Sequence, residues 1–188
     1  QIFKQQRFPL SRTVMANWVI TVSKLYFEKV YLRLCKLIVE QKVIHADETP
    51  VQVLNEPGRK PQQKSYMWVY STSKRSNIQI RCFSYENSRS GERASRFLKD
   101  FTGILISDGY SGYLMVEVIR AGCWAHMRRK WIDAIPKGVP LESSTAATGL
   151  KYCTRLFEFE RRIECLSNEA RGIERRKIHN YDENTPED

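Results

Sequence analysis

The sequence predicts an α/β fold, a mixed five-stranded sheet flanked by helices and preceded by an N-terminal helical arm, and three observations carry that reading. Apolar residues recur at helical spacing up to about residue 39 and at strand spacing from residue 43 on. Three short segments rich in β-branched and aromatic residues then follow one another across turn-forming linkers. The first of these and one later apolar run each end on an aspartate.

The helical arm comes first. Ser11 is placed to cap a helix in which Val14, Trp18, Val22 and Leu25 recur at spacings of four, four and three, with Tyr26, Val30, Leu34 and Leu37 continuing the pattern. Strands are expected at 43–47, 66–72 ("YMWVYST") and 78–85 ("IQIRCFSY"), separated by "NEPGRKPQQK" and "SKRSN", which make a meander. "SRSGERASRFLKDF" offers capping serines and then helix formers, with Phe97, Leu98 and Phe101 facing inward. A fourth strand at 103–107, a short helix at about 110–118, a fifth strand ending at 122–124 and a helix at 125–135 follow. Pro136, Gly138 and Pro140 break the chain before a single long helix from about Ser144 to Arg176. Strands in a meander followed by alternating strands and helices give a mixed sheet. The expected divisions are an arm at 1–41, a core at 42–178 and a polar tail at 179–188.

Composition narrows the function. The chain has 188 residues, 41% of them hydrophobic, enough for one sizeable core. With 31 Lys and Arg against 21 Asp and Glu, its net charge of +10 favours a polyanionic partner through phosphate neutralisation and counterion release. No apolar stretch approaches the roughly 18 residues of a membrane span and no secretory signal opens the chain, so a cytoplasmic location is expected. Five scattered cysteines without a Cys-x-x-Cys pair signal neither a disulfide framework nor a four-cysteine zinc site.

The candidate chemistry lies in the carboxylates. "VIHADETP" climbs through Val43 and Ile44 to Asp47, and "ILISDGY" ends its apolar run at Asp108. A residue at the carboxyl end of a central strand sits in the crevice where open α/β sheets bind ligands, so the two share a site if the first and fourth strands are neighbours. Close like charges call for a cation to neutralise them or a proton on one of them, and all-oxygen ligation suits Mg²⁺ or Mn²⁺. Each aspartate alone also fits a turn or cap, since Thr49-Pro50 follows one and Gly109 the other. In "LFEFERRI", Glu160 falls on the helical side of Cys153, Phe157 and Ile163 and interrupts its apolar stripe. Glu158 falls among Thr154, Arg155, Arg161 and Arg162 on the solvated side, and Glu164 shares the side of Glu160. Cys123 and His126 make half of a zinc ligand set with no second half at ligand spacing, which favours packing and hydrogen bonding beside the site. Arg128, Arg129 and Lys130 follow the fifth strand as candidate phosphate contacts, or as a solvated helix face.

Taken in order, "HADETPVQVL", "YMWVY", "SRSGERASRFL", "SDGYSGY", "GCWAHMRRKW" and "LFEFERRI" resemble the core of transposases of the insertion sequence 66 family, over roughly residues 1–178. The resemblance implies a ribonuclease-H-like fold and an Asp-Asp-Glu triad of Asp47, Asp108 and Glu160 that binds two Mg²⁺ (or Mn²⁺) ions. It also implies DNA as the partner, strand cleavage and strand transfer as the reaction, and a homo-oligomer as the active complex. A catalytically inactive DNA-binding remnant and a ribonuclease-H-like nuclease are the competing readings.

Overall fold

A computed structural model describes residues 10–136, 138 and 144–182 of the protein. Two compact units divide the chain, Gln1–Gly122 and Cys123–Asp188.

The first unit opens on α1 (Arg12–Val22), whose N-cap Ser11 accepts a hydrogen bond from the Val14 amide at 3.2 Å. A π-helical stretch, Ser23–Phe27, joins it to α2 (Glu28–Val39). A π turn holds one more residue than an α turn, so it changes the phase of the apolar stripe. After it, Ile38 is fully buried, and Tyr31, Leu34, Cys35 and Leu37 pack against the core. Trp18 and Val22 before it and Leu25 and Tyr26 within it are exposed, as is Val30 in the first turn of α2. The arm therefore anchors through its last three turns. Tyr31 donates its hydroxyl to the Phe83 carbonyl at 3.0 Å. Cys35 reaches Cys82, whose thiol is pushed up to about 12 by burial and then by Cys35.

Five strands form one sheet in the order β3-β2-β1-β4-β5: β1 (Val43–Gln52), β2 (Lys64–Thr72), β3 (Arg81–Glu86), β4 (Ile104–Ser107) and β5 (Ile119–Gly122). The first three make the antiparallel meander, while β1 with β4 and β4 with β5 are parallel, so the expected mixed sheet is present. β1 is twice its expected length, pairing with β2 as far as Gln52 against Lys64. Its pairing with β4 ends at His45 against Ile106. Beyond that point β1 has a neighbour on one side only, and Pro50, which reads as a turn in sequence, is tolerated there.

Alternation then sorts β1. Ile44, Ala46 and Glu48 are buried on one face, whereas His45 and Asp47 on the other are half-buried. Trp68, Tyr70, Cys82 and Leu105 complete the buried face, covered by Ile38 and by Ala94 and Leu98 of α3 (Gly91–Phe97) and its end. Tyr70 stacks on Phe97 with ring centroids 3.8 Å apart. Where a short helix is expected at 110–118, a 3-10 turn forms at Ser111–Met115. It packs so tightly on α3 that a Cβ on Gly91 would lie 2.2 Å from the Gly112 carbonyl oxygen.

In the second unit, α4 (Trp124–Asp133) packs against α5 (Thr145–Arg162), with the Trp131 ring against Gly149, where a Cβ would come within 2.5 Å of it. The single last helix expected from the sequence is two. α5 ends at Arg162, and α6 (Asn168–Asp182) begins after Ser167, whose hydroxyl accepts from the Ala170 amide at 3.2 Å. That cap competes with helix continuation. Pro140 and residues 183–188 of the expected polar tail lie outside the described residues. No helix among the described residues is long and apolar enough to cross a membrane.

Burial holds the His45 imidazole below its ordinary value. Its neutral form is the one that folding favours, so its contribution is present above the unfolded value of about 6.5 and is lost as pH falls below it. His45→Gln should therefore lose less stability than the wild type between about pH 7 and pH 5, read from urea midpoints at each pH. Equal losses in the two proteins would show that His45 does not carry the effect.

Candidate active site

Asp47 and Asp108 come together through the sheet. β1 and β4 are adjacent and parallel, and extending their register by two residues from His45 against Ile106 sets Asp47 level with Asp108, just past the end of β4. Asp47 is half-buried, and its Oδ1 accepts from the Glu48 amide at 2.9 Å. Asp108 Oδ1 accepts from the Tyr110 amide at 2.9 Å, closing a turn through Gly109, whose φ of +86° lies in the left-handed region. The turn fixes one oxygen of Asp108.

The structure adds two residues that the sequence reading passed over, Glu48 and Arg89. Glu48 has a side chain only 1% exposed. Its Oε1 accepts from Arg89 Nε at 2.8 Å and from Arg89 NH2 at 2.6 Å, and its Oε2 accepts from the Tyr113 hydroxyl at 2.7 Å. Arg89 NH2 also lies 4.0 Å from Asp108 Oδ2. The Arg89 guanidinium sits 4.0 Å over the Tyr110 ring, and Tyr110 returns its hydroxyl to the Arg89 carbonyl at 2.7 Å. One cation thus serves a buried glutamate and a candidate aspartate.

These contacts set the protonation states. Burial, and then the bond to Glu48, push the Tyr113 phenol far above its ordinary value, so it stays a donor. Burial works against the charge on Arg89, but the Glu48 hydrogen bond and charge outweigh it, and its value is raised. A signal for Glu48 was present in the sequence, since it continues the Ile44, Ala46 face at a spacing of two. Reading it requires knowing that β1 runs past Asp47. Arg89 was hidden in a segment that reads as a helix cap, and Ser90 does cap α3 by accepting from the Glu92 amide.

The other candidates belong to the second unit. Glu160 on α5 is half-exposed and forms a bidentate fork with Arg175 of α6, Nε to Oε1 at 2.6 Å and NH2 to Oε2 at 2.7 Å. The neighbours on its helix side divide: Cys153 and Ile163 are buried, whereas Leu156 and Phe157 are each 37% exposed. Glu158 is exposed, and Glu164 lies beyond the end of α5. Cys123 caps α4, and the His126 amide donates to the Cys123 carbonyl at 3.0 Å. Arg129 and Lys130 on α4 are exposed and Arg128 is half-buried. Among the described residues, no group of three or more His, Cys, Asp or Glu side chains is gathered as a metal site.

Tyr113→Phe removes the donor to Glu48 Oε2 and leaves that oxygen buried without it. A loss of about 1–3 kcal/mol in unfolding free energy is expected, measured by urea denaturation with an unchanged slope. A loss near zero would mean that Tyr113 is not what satisfies Glu48.

No solved structure matches the chain. The uncharacterized protein y4qI of Sinorhizobium fredii (strain NBRC 101917 / NGR234) is 30% identical over 176 residues, which cover 85% of this chain and 31% of that protein. The uncharacterized protein y4jD of the same strain is 29% identical over 186 residues, 91% of this chain and 35% of that protein. The chain thus spans about a third of the length of the curated relatives it matches. The family model described as Transposase IS66 family matches residues 1–183, and the protein belongs to that family.

Proposed function

We propose that the protein is the catalytic core of a DNA transposase, in which Asp47, Asp108 and Glu160 hold divalent cations for strand cleavage and strand transfer. The observation that carries the reading is the pairing of β1 and β4 as adjacent parallel strands, with Asp47 and Asp108 level with each other in a chain of this family. The order β3-β2-β1-β4-β5, a meander extended by two parallel strands, supports a ribonuclease-H-like fold.

The donor set fits the proposed ions. Asp47 and Asp108 offer hard carboxylate oxygens and no sulfur or imidazole, which suits Mg²⁺ or Mn²⁺. Bound there, such ions would activate a water or a 3′-hydroxyl and neutralise the leaving oxygen. Within the chain, the Tyr110 amide fixes Asp108 Oδ1, and the Arg89–Glu48–Tyr113 contacts hold the adjoining wall. Glu160, one helix turn beyond Leu156, supplies the third carboxylate once Arg175 gives up its fork. Arg128, Arg129 and Lys130 contact phosphates, DNA is the partner, and the active complex is a homo-oligomer working in the cytoplasm. Cys123 and His126 act as packing and hydrogen-bonding support.

The engagement of both Glu160 oxygens by Arg175 favours a second reading, a DNA-binding remnant without catalysis. One experiment separates the two. With labelled element ends and Mg²⁺, Asp47→Asn, Asp108→Asn and Glu160→Gln should each lose Mg²⁺-dependent cleavage while folding and DNA binding persist. Glu158→Gln should leave cleavage nearly unchanged. Cleavage that survives Glu160→Gln but fails with Glu158→Gln or Glu164→Gln would move the third role to another residue. Absence of cleavage by the wild type would favour the remnant.

A further inference from the structure

We infer that Arg89 is a contact for a DNA-backbone phosphate beside the aspartate pair, held ready for it by Glu48 and Tyr110; the inference rests on the proposed function for the location of that pair. Burial is uneven across the pair. A counter-ion whose only task is to neutralise a buried glutamate is expected to be buried with it, yet the Glu48 side chain is 1% exposed and that of Arg89 is 43% exposed. The guanidinium spends two donors, Nε and NH2, on the same Glu48 oxygen. NH1 makes no hydrogen bond among those formed by the described residues, and a guanidinium offers a planar fork suited to phosphate oxygens.

Its placement is already settled. Glu48 holds one edge, the Tyr110 ring lies under the flat face, and the Tyr110 hydroxyl fastens the Arg89 carbonyl. Ordering a long side chain opposes binding, and here most of that cost is met in folding. The group also lies where a phosphate bound at the aspartates would be within reach, NH2 being 4.0 Å from Asp108 Oδ2. The charge balance along the same segment leans positive, because Arg93 and Arg96 both pair with the single carboxylate of Glu86. Glu48 acts here as a positioning residue, through Arg89.

The test is the salt dependence of binding by the 188-residue chain to a DNA duplex of arbitrary sequence, in chelator and without Mg²⁺. Losing one phosphate contact lowers the slope of log affinity against log salt by about 0.9. Arg89→Gln should show that decrease, and Arg89→Lys should restore the slope. Arg81→Gln, an exposed arginine on the far edge strand β3, should leave the slope unchanged. If Arg89→Gln does not fold with Glu48 left uncompensated, Arg89→Gln in the Glu48→Gln background is compared with Glu48→Gln alone, and the same decrease is expected. A slope equal to that of its parent, or no measurable DNA binding by the wild type, overturns the inference. A decreased slope together with no cleavage by the wild type keeps Arg89 and removes the catalytic reading. Cleavage with an unchanged slope does the reverse.

Discussion

A carboxylate inside an apolar layer is the constraint around which the first unit is arranged. Glu48 stands on the same face of β1 as Ile44 and Ala46, among side chains that include Trp68 and Leu105. Taking a charged group there out of water is costly unless donors surround it. Two segments distant in sequence supply them: Arg89, just before α3, and Tyr113, in the 3-10 turn after β4. Meeting that demand draws both segments onto the sheet, and the near contact of Gly91 with the Gly112 carbonyl marks how closely they come. Removing one partner from a buried charge pair costs about 3–5 kcal/mol, and the exposure of Arg89 places this pair toward the lower end.

The second unit pairs the same two residue types, with both oxygens of its glutamate engaged instead of one and with a different consequence. Glu160 and Arg175 meet at 2.6 Å, as Glu48 and Arg89 do, but both side chains are about half exposed. Water already solvates them well, so an exposed pair contributes roughly 0–1 kcal/mol. A weakly stabilising fork can be given up at little cost to folding, and that is the behaviour required of a carboxylate proposed to exchange a guanidinium for a metal. Glu48 lacks that freedom, which argues for a supporting task.

The sequence revealed the features that depend on local pattern and concealed those that depend on a neighbour. Apolar runs ending in Asp47 and Asp108 were legible, and the mixed sheet made them adjacent, because a buried strand must be apolar until it emerges. The extension of β1 was not, since Thr49-Pro50 resembles a turn and only the absence of a second neighbour makes the proline acceptable. The split between α5 and α6 was signalled by Ser167 followed by Glu169 and Ala170, but the apolar spacing on either side ran across it. The π stretch at Ser23–Phe27 left no mark that periodicity detects, and with it went the distinction between the anchored and exposed parts of the arm. Arg89 and Tyr113 could not have been paired with Glu48 without the sheet, being separated from it by 41 and 65 residues.

One step of geometry connects these observations to chemistry. Asp47 and Glu48 are consecutive in a strand, so their side chains leave the sheet on opposite faces. The strand can therefore present a half-buried carboxylate in the crevice beyond β4 while its next residue is locked into the layer beneath. Any sliding of β1 by one residue would turn Asp47 into the layer and turn out the group that binds Arg89 and Tyr113. Pairing with β2 from Ile44 to Gln52 resists that slip along nine residue pairs. The extension past Pro50 thus has a purpose in holding the register on which both carboxylates depend.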